Sequence, residues 1–234
     1  MNPGPGRGPG TPRPTVSWLI LPYDTRQFPF AALLCRDVFK VPRLDLLHDY
    51  VRAQRRAAGR RDRLTAQDNL VLRGLMQNLP DDAPFYQLYH AFMRQVLARL
   101  AGVALSYSHH PKMRVHLAGT PAVSTFHDDV PVTKRIDQVN FWMPFTDVDE
   151  TATLWLESDY GRADYAPRPV RYGEALIFDG GYLGHGSVAN RSHTTRVSLD
   201  LRFGRKGATT RAEGIQLVDL LAARTRRDAL SQAT

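Results

Sequence analysis

The order of apolar and polar positions divides the chain into a helical front half, a strand-rich back half and a short helical tail. Residues 16–21 (VSWLIL) form a short apolar run with the character of a strand at a sheet edge. Leu44, Leu47, Tyr50 and Val51 then recur at helical spacing within residues 42–56, just after a proline, which the first turn of a helix tolerates. Leu70, Leu72, Leu75 and Met76 predict a second helix within residues 66–79, ended by Pro80. The clearest stripe is Phe85, Leu88, Tyr89, Phe92, Val96, Leu97 and Leu100, opened by Asp81, Asp82 and Pro84 and stopped by Gly102. A helix of this kind packs its apolar face along a sheet.

From Ala104 onward the period shortens to that of strands. Residues 112–117 (KMRVHL), 137–144 (DQVNFWMP), 153–157 (TLWLE), 175–179 (ALIFD) and 195–203 (TRVSLDLRF) alternate as strands do, with turn residues such as Gly119-Thr120-Pro121, Gly161, Gly173 and Gly180-Gly181 between them. Helices do not alternate with these strands, and no glycine-rich phosphate loop follows one. A mainly β fold with flanking α is therefore expected, a jelly-roll or cupin-like barrel backed by N-terminal helices, rather than a doubly wound sheet. One domain is expected over residues 15–234, with helical support at 42–101, the barrel at 104–205 and a C-terminal helix at 210–230.

Composition narrows the setting. Residues 1–14 (MNPGPGRGPGTPRP) carry almost nothing to bury and are expected to be disordered. They lack the apolar centre of a signal peptide, and no later run is apolar for the length of a membrane span. Cys35 is the only cysteine, which rules out an internal disulfide and fits a reducing cytoplasm. The net charge of +8 raises nucleic acid as a partner. Its excess sits in residues 52–63 (RAQRRAAGRRDR) and 205–234, both Ala-rich, without zinc-finger spacing or aromatic-interleaved basic grooves, so the first run reads as a solvated helix face. The expected partner is a small molecule, with neither nucleic acid nor membrane; the sequence does not fix an oligomeric state.

The chemistry concentrates in Thr125-Phe126-His127-Asp128-Asp129. Residues two apart on an extended segment point to the same side, so His127 and Asp129 would present an imidazole and a carboxylate to one point, with Asp128 turned away. His185, among glycines in Phe178-Asp-Gly-Gly-Tyr-Leu-Gly-His-Gly186, completes a two-His, one-carboxylate set that leaves iron positions open for a cosubstrate and O2. Arg196 follows eleven residues after His185, and Ser198 shares its face. A guanidinium fork with a neighbouring hydroxyl suits the distal carboxylate of a dicarboxylic acid. Asn140 is a candidate polar contact to cosubstrate or substrate, and Arg114 a further candidate for the cosubstrate. Trp142 and Trp155 fit barrel packing better than substrate stacking. Asp128, Asp147, Asp149, Glu150 and Glu157 supply acidity that a polyamine substrate could use.

Together His127-x-Asp129, Gln138-Val-Asn-Phe-Trp-Met-Pro-Phe-Thr-Asp147, Leu154-Trp-Leu-Glu-Ser158, Gly184-His-Gly and Arg196-Val-Ser-Leu-Asp-Leu-Arg-Phe203 resemble the Fe(II)/2-oxoglutarate dioxygenases, most closely the phytanoyl-type branch and the StrG-like proteins of streptomycin-class pathways. The resemblance covers about residues 114–203. It implies a double-stranded β-helix, iron on His127, Asp129 and His185, and 2-oxoglutarate on Arg196 and Ser198, with O2 as second cosubstrate. The same branch includes the orthoester-forming oxygenase of hygromycin-type aminoglycosides, so either hydroxylation or oxidative ring closure of a small polar natural product, an aminoglycoside first, is expected. A hydroxylase of a free or carrier-bound amino acid is the alternative from the same chemistry. A cupin-like metal- or sugar-binding protein without oxygenase activity is the alternative from another class; it would have no need of the Arg196-x-Ser198 pair.

Overall fold

The computed structural model describes residues 16–232. The tail expected to be disordered, residues 1–14, lies outside the described residues. The chain opens with strand β1 (Trp18–Pro22), followed by α1 (Phe30–Leu33), which widens into a π-helical stretch over Leu34–Phe39. Helices α2 (Leu47–Ala57) and α3 (Ala66–Gln77) follow. The strong apolar stripe folds as one continuous helical run: α4 (Pro84–Phe92), a π-helical stretch at Met93–Leu97 and α5 (Ala98–Ala101). Phe85, Tyr89, Phe92, Leu97 and Leu100 are buried along it, as its three- and four-residue spacing requires.

Two details differ from the sequence expectation. In α3 the inward positions go to Asn69 and Met76, while Leu70 and Leu75 are exposed. Asn69 accepts a hydrogen bond from the Leu117 N–H and donates to Thr120 Oγ1, so a satisfied polar residue holds a place that periodicity assigned to leucine. The arginine-rich stretch is mostly exposed, yet Arg55 reaches the carbonyls of Arg61 and Arg63 and the Asp68 carboxylate, closing the α2–α3 loop. Asp68 in turn accepts from the Thr65 N–H in the capping box that starts α3.

The back half is antiparallel. Strands β2 (Leu105–Tyr107), β3 (Lys112–His116), β4 (Gln138–Pro144), β7 (Glu174–Phe178) and β9 (Arg196–Arg205) join β1 in one sheet, ordered β1-β7-β4-β9-β2, with β3 also paired to β9. Strands β5 (Leu154–Leu156), β6 (Ala166–Arg168) and β8 (His185–Gly186) form the smaller sheet, ordered β6-β5-β8. His127 extends that order: its N–H and C=O exchange hydrogen bonds with those of His185 at 3.0 and 2.9 Å. Between His127 and β4 lies one turn of helix, α6 (Val130–Thr133). The C-terminal helix α7 (Leu217–Gln232) starts later than expected because Glu213 ties Thr209 and Thr210 into a turn. Leu217 and Leu220 join the core.

Strand alternation separates two chemistries on the large sheet. Val139, Phe141 and Met143 of β4 and Val197, Leu199, Leu201 and Phe203 of β9 face the helices and form the main core. The opposite face looks toward the smaller sheet. There a second cluster of Trp142, Leu176, Phe178, Leu154, Leu156 and Leu183 fills one end of the barrel. The other end is polar: β9 turns Arg196, Ser198, Asp200 and Arg202 inward, and register places His116, Arg114, Lys112 and Asn140 across from them. Among the described residues no helix is long and apolar enough to cross a membrane.

Candidate active site

The polar end of the barrel is a cavity lined by Arg114, His127, Asp129, Asn140, Trp142, His185, Arg196, Asp200 and Arg202, among others. His127, Asp129 and His185 each turn a ligand atom toward a common point, all within 4.8 Å of one another. The reciprocal backbone bridge fixes the two histidines side by side, with ring centroids 4.5 Å apart. Asp129 stands where the extended segment turns into α6, and its N–H donates to the Gly180 carbonyl at 2.9 Å. Gly180 is required there: a Cβ would lie 2.5 Å from Asn140 Cγ. Gly186 likewise lets Phe126 pass at a distance that no side chain would allow.

Each imidazole is oriented through its second nitrogen. His127 Nδ1 lies 2.7 Å from the Thr125 carbonyl and His185 Nδ1 3.0 Å from the Leu183 carbonyl. Carbonyls only accept, so both Nδ1 atoms carry the proton and both Nε2 lone pairs are available to a metal. Burial also pushes His185 below its ordinary pKa and favours the neutral ligand form.

Asp129 is held more firmly than the sequence suggested. Arg202 grips it with a fork, Nε to Oδ2 at 2.8 Å and Nη2 to Oδ1 at 2.6 Å, and Asn140 Nδ2 donates to Oδ2 at 2.7 Å. Burial opposes ionisation of this carboxyl, but the facing His127 imidazole and the hydrogen bonds from Arg202 and Asn140 outweigh it and hold the group far below the usual carboxylate range. Asn140 is thus a partner of the candidate iron ligand through Nδ2, while its Oδ1 is buried in the cavity lining without a partner.

Arg196 is fully buried and pairs with no carboxylate. Its Nη1 donates to the carbonyls of Ala152 and Thr153, both at 3.1 Å, and its Cζ lies 5.7 Å from the Trp142 ring centroid. Its Nε and the hydroxyl of Ser198 are buried with no partner. Burial and the nearby Arg114 pull its pKa down to about 10. His116 stands opposite Arg196 in register and is driven to about 3 by burial and by that guanidinium; both its ring nitrogens are buried without partners. A buried, uncompensated cation beside a hydroxyl is costly unless an anion joins it. These orphaned donors fit a carboxylate, and the triad in the same cavity fits iron, so the residues present suit the Fe(II) and 2-oxoglutarate pair.

Other sequence candidates fall elsewhere. Arg114 donates to Asp200 Oδ2 at 2.8 Å on the cavity wall. Trp155 sends its indole N–H to the Glu150 carbonyl and does not line the cavity. Glu157 is buried and accepts from the backbone N–H groups of Gly161, Ala163 and Gly184, which braces the loop before His185 instead of facing a substrate. Asp128 is half-buried outside the cavity, where burial and the neighbouring Glu157 raise its carboxyl. Asp147, Asp149 and Glu150 also lie off the lining. Sequence reasoning missed Arg202, Asp200 and Lys112. The signal for the first two was present: in Arg196-Val-Ser-Leu-Asp-Leu-Arg202 every second residue is polar, which puts all four on the face of Arg196.

Fold and site define a class, the double-stranded β-helix oxygenases that use non-haem Fe(II) and 2-oxoglutarate. No family model matches the chain. It is 32% identical over 172 residues to the streptomycin biosynthesis protein StrG of Streptomyces griseus, a match covering 71% of this chain and 80% of that protein. The chain belongs to the StrG-like family within that class. Among solved structures, a non-haem monooxygenase described as a ThoJ–Ni complex shares the fold at a TM-score of 0.50 and 14% identity, covering 93% of this chain and 96% of that one. The non-haem α-ketoglutarate-dependent carbocyclase SnoK from nogalamycin biosynthesis aligns at a TM-score of 0.39 and 17% identity over 50% of this chain, which spans 58% of that structure's length.

Proposed function

We propose that the chain oxidises an unactivated C–H bond of a small polar natural product in antibiotic biosynthesis, with His127, Asp129 and His185 holding Fe(II) and Arg196 with Ser198 holding 2-oxoglutarate. The observation that carries the reading is the placement of a fully buried arginine without a carboxylate partner in the same cavity as the triad. A binding module of cupin type has no use for that charge.

Iron bound here would supply, with 2-oxoglutarate and O2, the oxidising power for the reaction. The residues of the chain do the positioning. Arg202 and Asn140 keep the Asp129 carboxylate ionised and turned toward the histidines, while the carbonyls of Thr125 and Leu183 fix both imidazoles in the ligating tautomer. Arg196 Nε and Ser198 Oγ would hold the distal carboxylate, and Trp142, packed against the guanidinium, would exclude water from that end. Hydroxylation places one oxygen atom of O2 in the substrate and the other in succinate, with loss of CO2. Ring closure instead removes two hydrogens from the substrate, which leave as water. The StrG relationship favours a sugar- or aminocyclitol-type substrate of an aminoglycoside pathway, and ring closure to an orthoester is the finer reading.

The test is succinate release from 2-oxoglutarate with Fe(II) and O2 across a panel of sugars, aminocyclitols and amino acids. Substrate-stimulated succinate with a matching oxidised sugar supports the reading. Stimulation only by amino acids would move the chain to the amino-acid hydroxylases, and iron binding without 2-oxoglutarate consumption would leave a binding module.

A further inference from the structure

The charges in the cavity do not balance. Four basic side chains line it, Lys112, Arg114, Arg196 and Arg202, against two carboxylates, Asp129 and Asp200. Arg202 is paired with Asp129 and Arg114 with Asp200. His116 adds no charge, since burial holds it neutral, and in the iron-loaded site His127 and His185 would ligate as neutral imidazoles through Nε2. Bound Fe(II) and 2-oxoglutarate carry opposite double charges and cancel, so the loaded cavity keeps its surplus of two positive charges.

The surplus has a location. Arg196 is buried at the floor, but Lys112 sits at the exposed start of β3, across from Asp200 in register and on the same face as Arg114. No carboxylate of the described residues pairs with Lys112. Arg114 spends only its Nε on Asp200, which leaves both terminal nitrogens for another acceptor. The hydroxyls of Ser108 and Ser124 line the same cavity. An ammonium, two guanidinium N–H groups and hydroxyls are the receptor chemistry of an oxyanion. A polyamine, by contrast, finds its two carboxylates already taken, and the acidic loop residues Asp128, Asp147, Asp149, Glu150 and Glu157 are off the lining.

We infer that the substrate arrives carrying an anionic oxygen group, a phosphate or a carboxylate, that docks on Lys112 and Arg114 at the cavity mouth. This rests on the oxygenase reading of the site and narrows its substrate to an acidic or phosphorylated sugar or cyclitol instead of a free polyamine.

The experiment compares four probes on one hexose scaffold: glucose 6-phosphate, glucuronate, glucosamine and glucose. Each is titrated calorimetrically into anaerobic protein loaded with Fe(II) and 2-oxoglutarate, for wild type, Lys112→Met and Lys112→Glu. At least one anionic sugar is expected to bind about tenfold or more tighter than glucosamine and glucose, and the ranking of phosphate against carboxylate names the group. Lys112→Met is expected to shrink that preference and Lys112→Glu to abolish it, while 2-oxoglutarate affinity stays at the wild-type value. Equal or tighter binding of glucosamine, no binding of either anion, a preference indifferent to Lys112, or a loss of 2-oxoglutarate affinity in Lys112→Met would each overturn the inference. Binding of 2-oxoglutarate to the Fe(II)-loaded protein, measured beforehand, separates the two readings: its failure speaks against the oxygenase, whereas the anion preference, titrated also into iron-free protein, is read by itself.

Discussion

Replacing Arg196 by methionine tests the cosubstrate reading against the ordinary structural alternative, an arginine that merely ties a strand end in place. The tie exists: Nη1 holds the carbonyls of Ala152 and Thr153 at 3.1 Å each. The unpartnered Nε, still facing buried space beside the Ser198 hydroxyl, is what a structural role leaves unexplained. A distal carboxylate taking two charge-assisted hydrogen bonds from this guanidinium gains ~1.5–3 kcal/mol from each, about 3 kcal/mol or more in total. At ~1.4 kcal/mol per factor of ten, Arg196→Met should weaken 2-oxoglutarate binding by about a hundredfold or more. Arg196→Lys keeps the charge, loses the fork and should fall between the two, about tenfold weaker than wild type. Calorimetric titration of 2-oxoglutarate into anaerobic Fe(II) protein reads the affinity, and circular dichroism melting reads the fold. A Met variant that melts earlier yet binds 2-oxoglutarate within about threefold of wild type would refute the reasoning and leave Arg196 as a strand tie.

Three other perturbations probe the support of the site. Glu157→Gln replaces an acceptor of three backbone N–H groups with a side chain whose amide end must face one of them, so a loss of about 1–3 kcal/mol is expected; denaturant unfolding measures it, and unchanged stability would contradict the bracing role. Gly180→Ala puts a methyl on Asn140, which must leave Asp129; Fe(II) affinity should fall about 10- to 100-fold, and an unchanged affinity would mean that Asn140 does not matter to the ligand. His116 is neutral in the fold down to about pH 3 but gains a proton near pH 6.5 when unfolded, so its contribution is complete above pH 6.5 and is lost as the pH falls toward 3. Stability should drop by up to about 1.4 kcal/mol per pH unit from this group alone, and His116→Leu should flatten that slope in pH-dependent urea unfolding; an unaltered slope would show that His116 is not the group responsible.

The parts of the molecule legible in the sequence are those in which periodicity and chemistry agree. The stripe from Phe85 to Leu100 has one outcome, a helix against a sheet, and the alternation of β4 and β9 sorts core from cavity without further information. The candidate metal triad was legible because His127, Asp129 and His185 have no competing use for their spacing, and the structure brings their ligand atoms within 4.8 Å of one another. What was not legible depends on contacts between distant segments. Asn140 looked like a free polar group until Asp129, eleven residues earlier, came within 2.7 Å of it. Glu157 stood among the acids a polyamine could use, but its carboxylate is occupied by three backbone N–H groups, those of Gly161, Ala163 and Gly184, which lie up to twenty-seven residues away in sequence. Leu70 and Leu75 carried the right spacing for a core and still lie exposed, since α3 turns its Asn69 edge to the sheet.

The central claim is that iron and 2-oxoglutarate meet in this cavity on residues of the triad and on Arg196. The most direct measurement is the visible spectrum of anaerobic protein with Fe(II) and 2-oxoglutarate, where the chelate gives a weak charge-transfer band, recorded for wild type, His185→Ala and Arg196→Ala. The account predicts a band in wild type, its absence in His185→Ala, and in Arg196→Ala a band that appears only at much higher 2-oxoglutarate. Folded, iron-loaded wild type without a band, or a band that survives in His185→Ala, would contradict it.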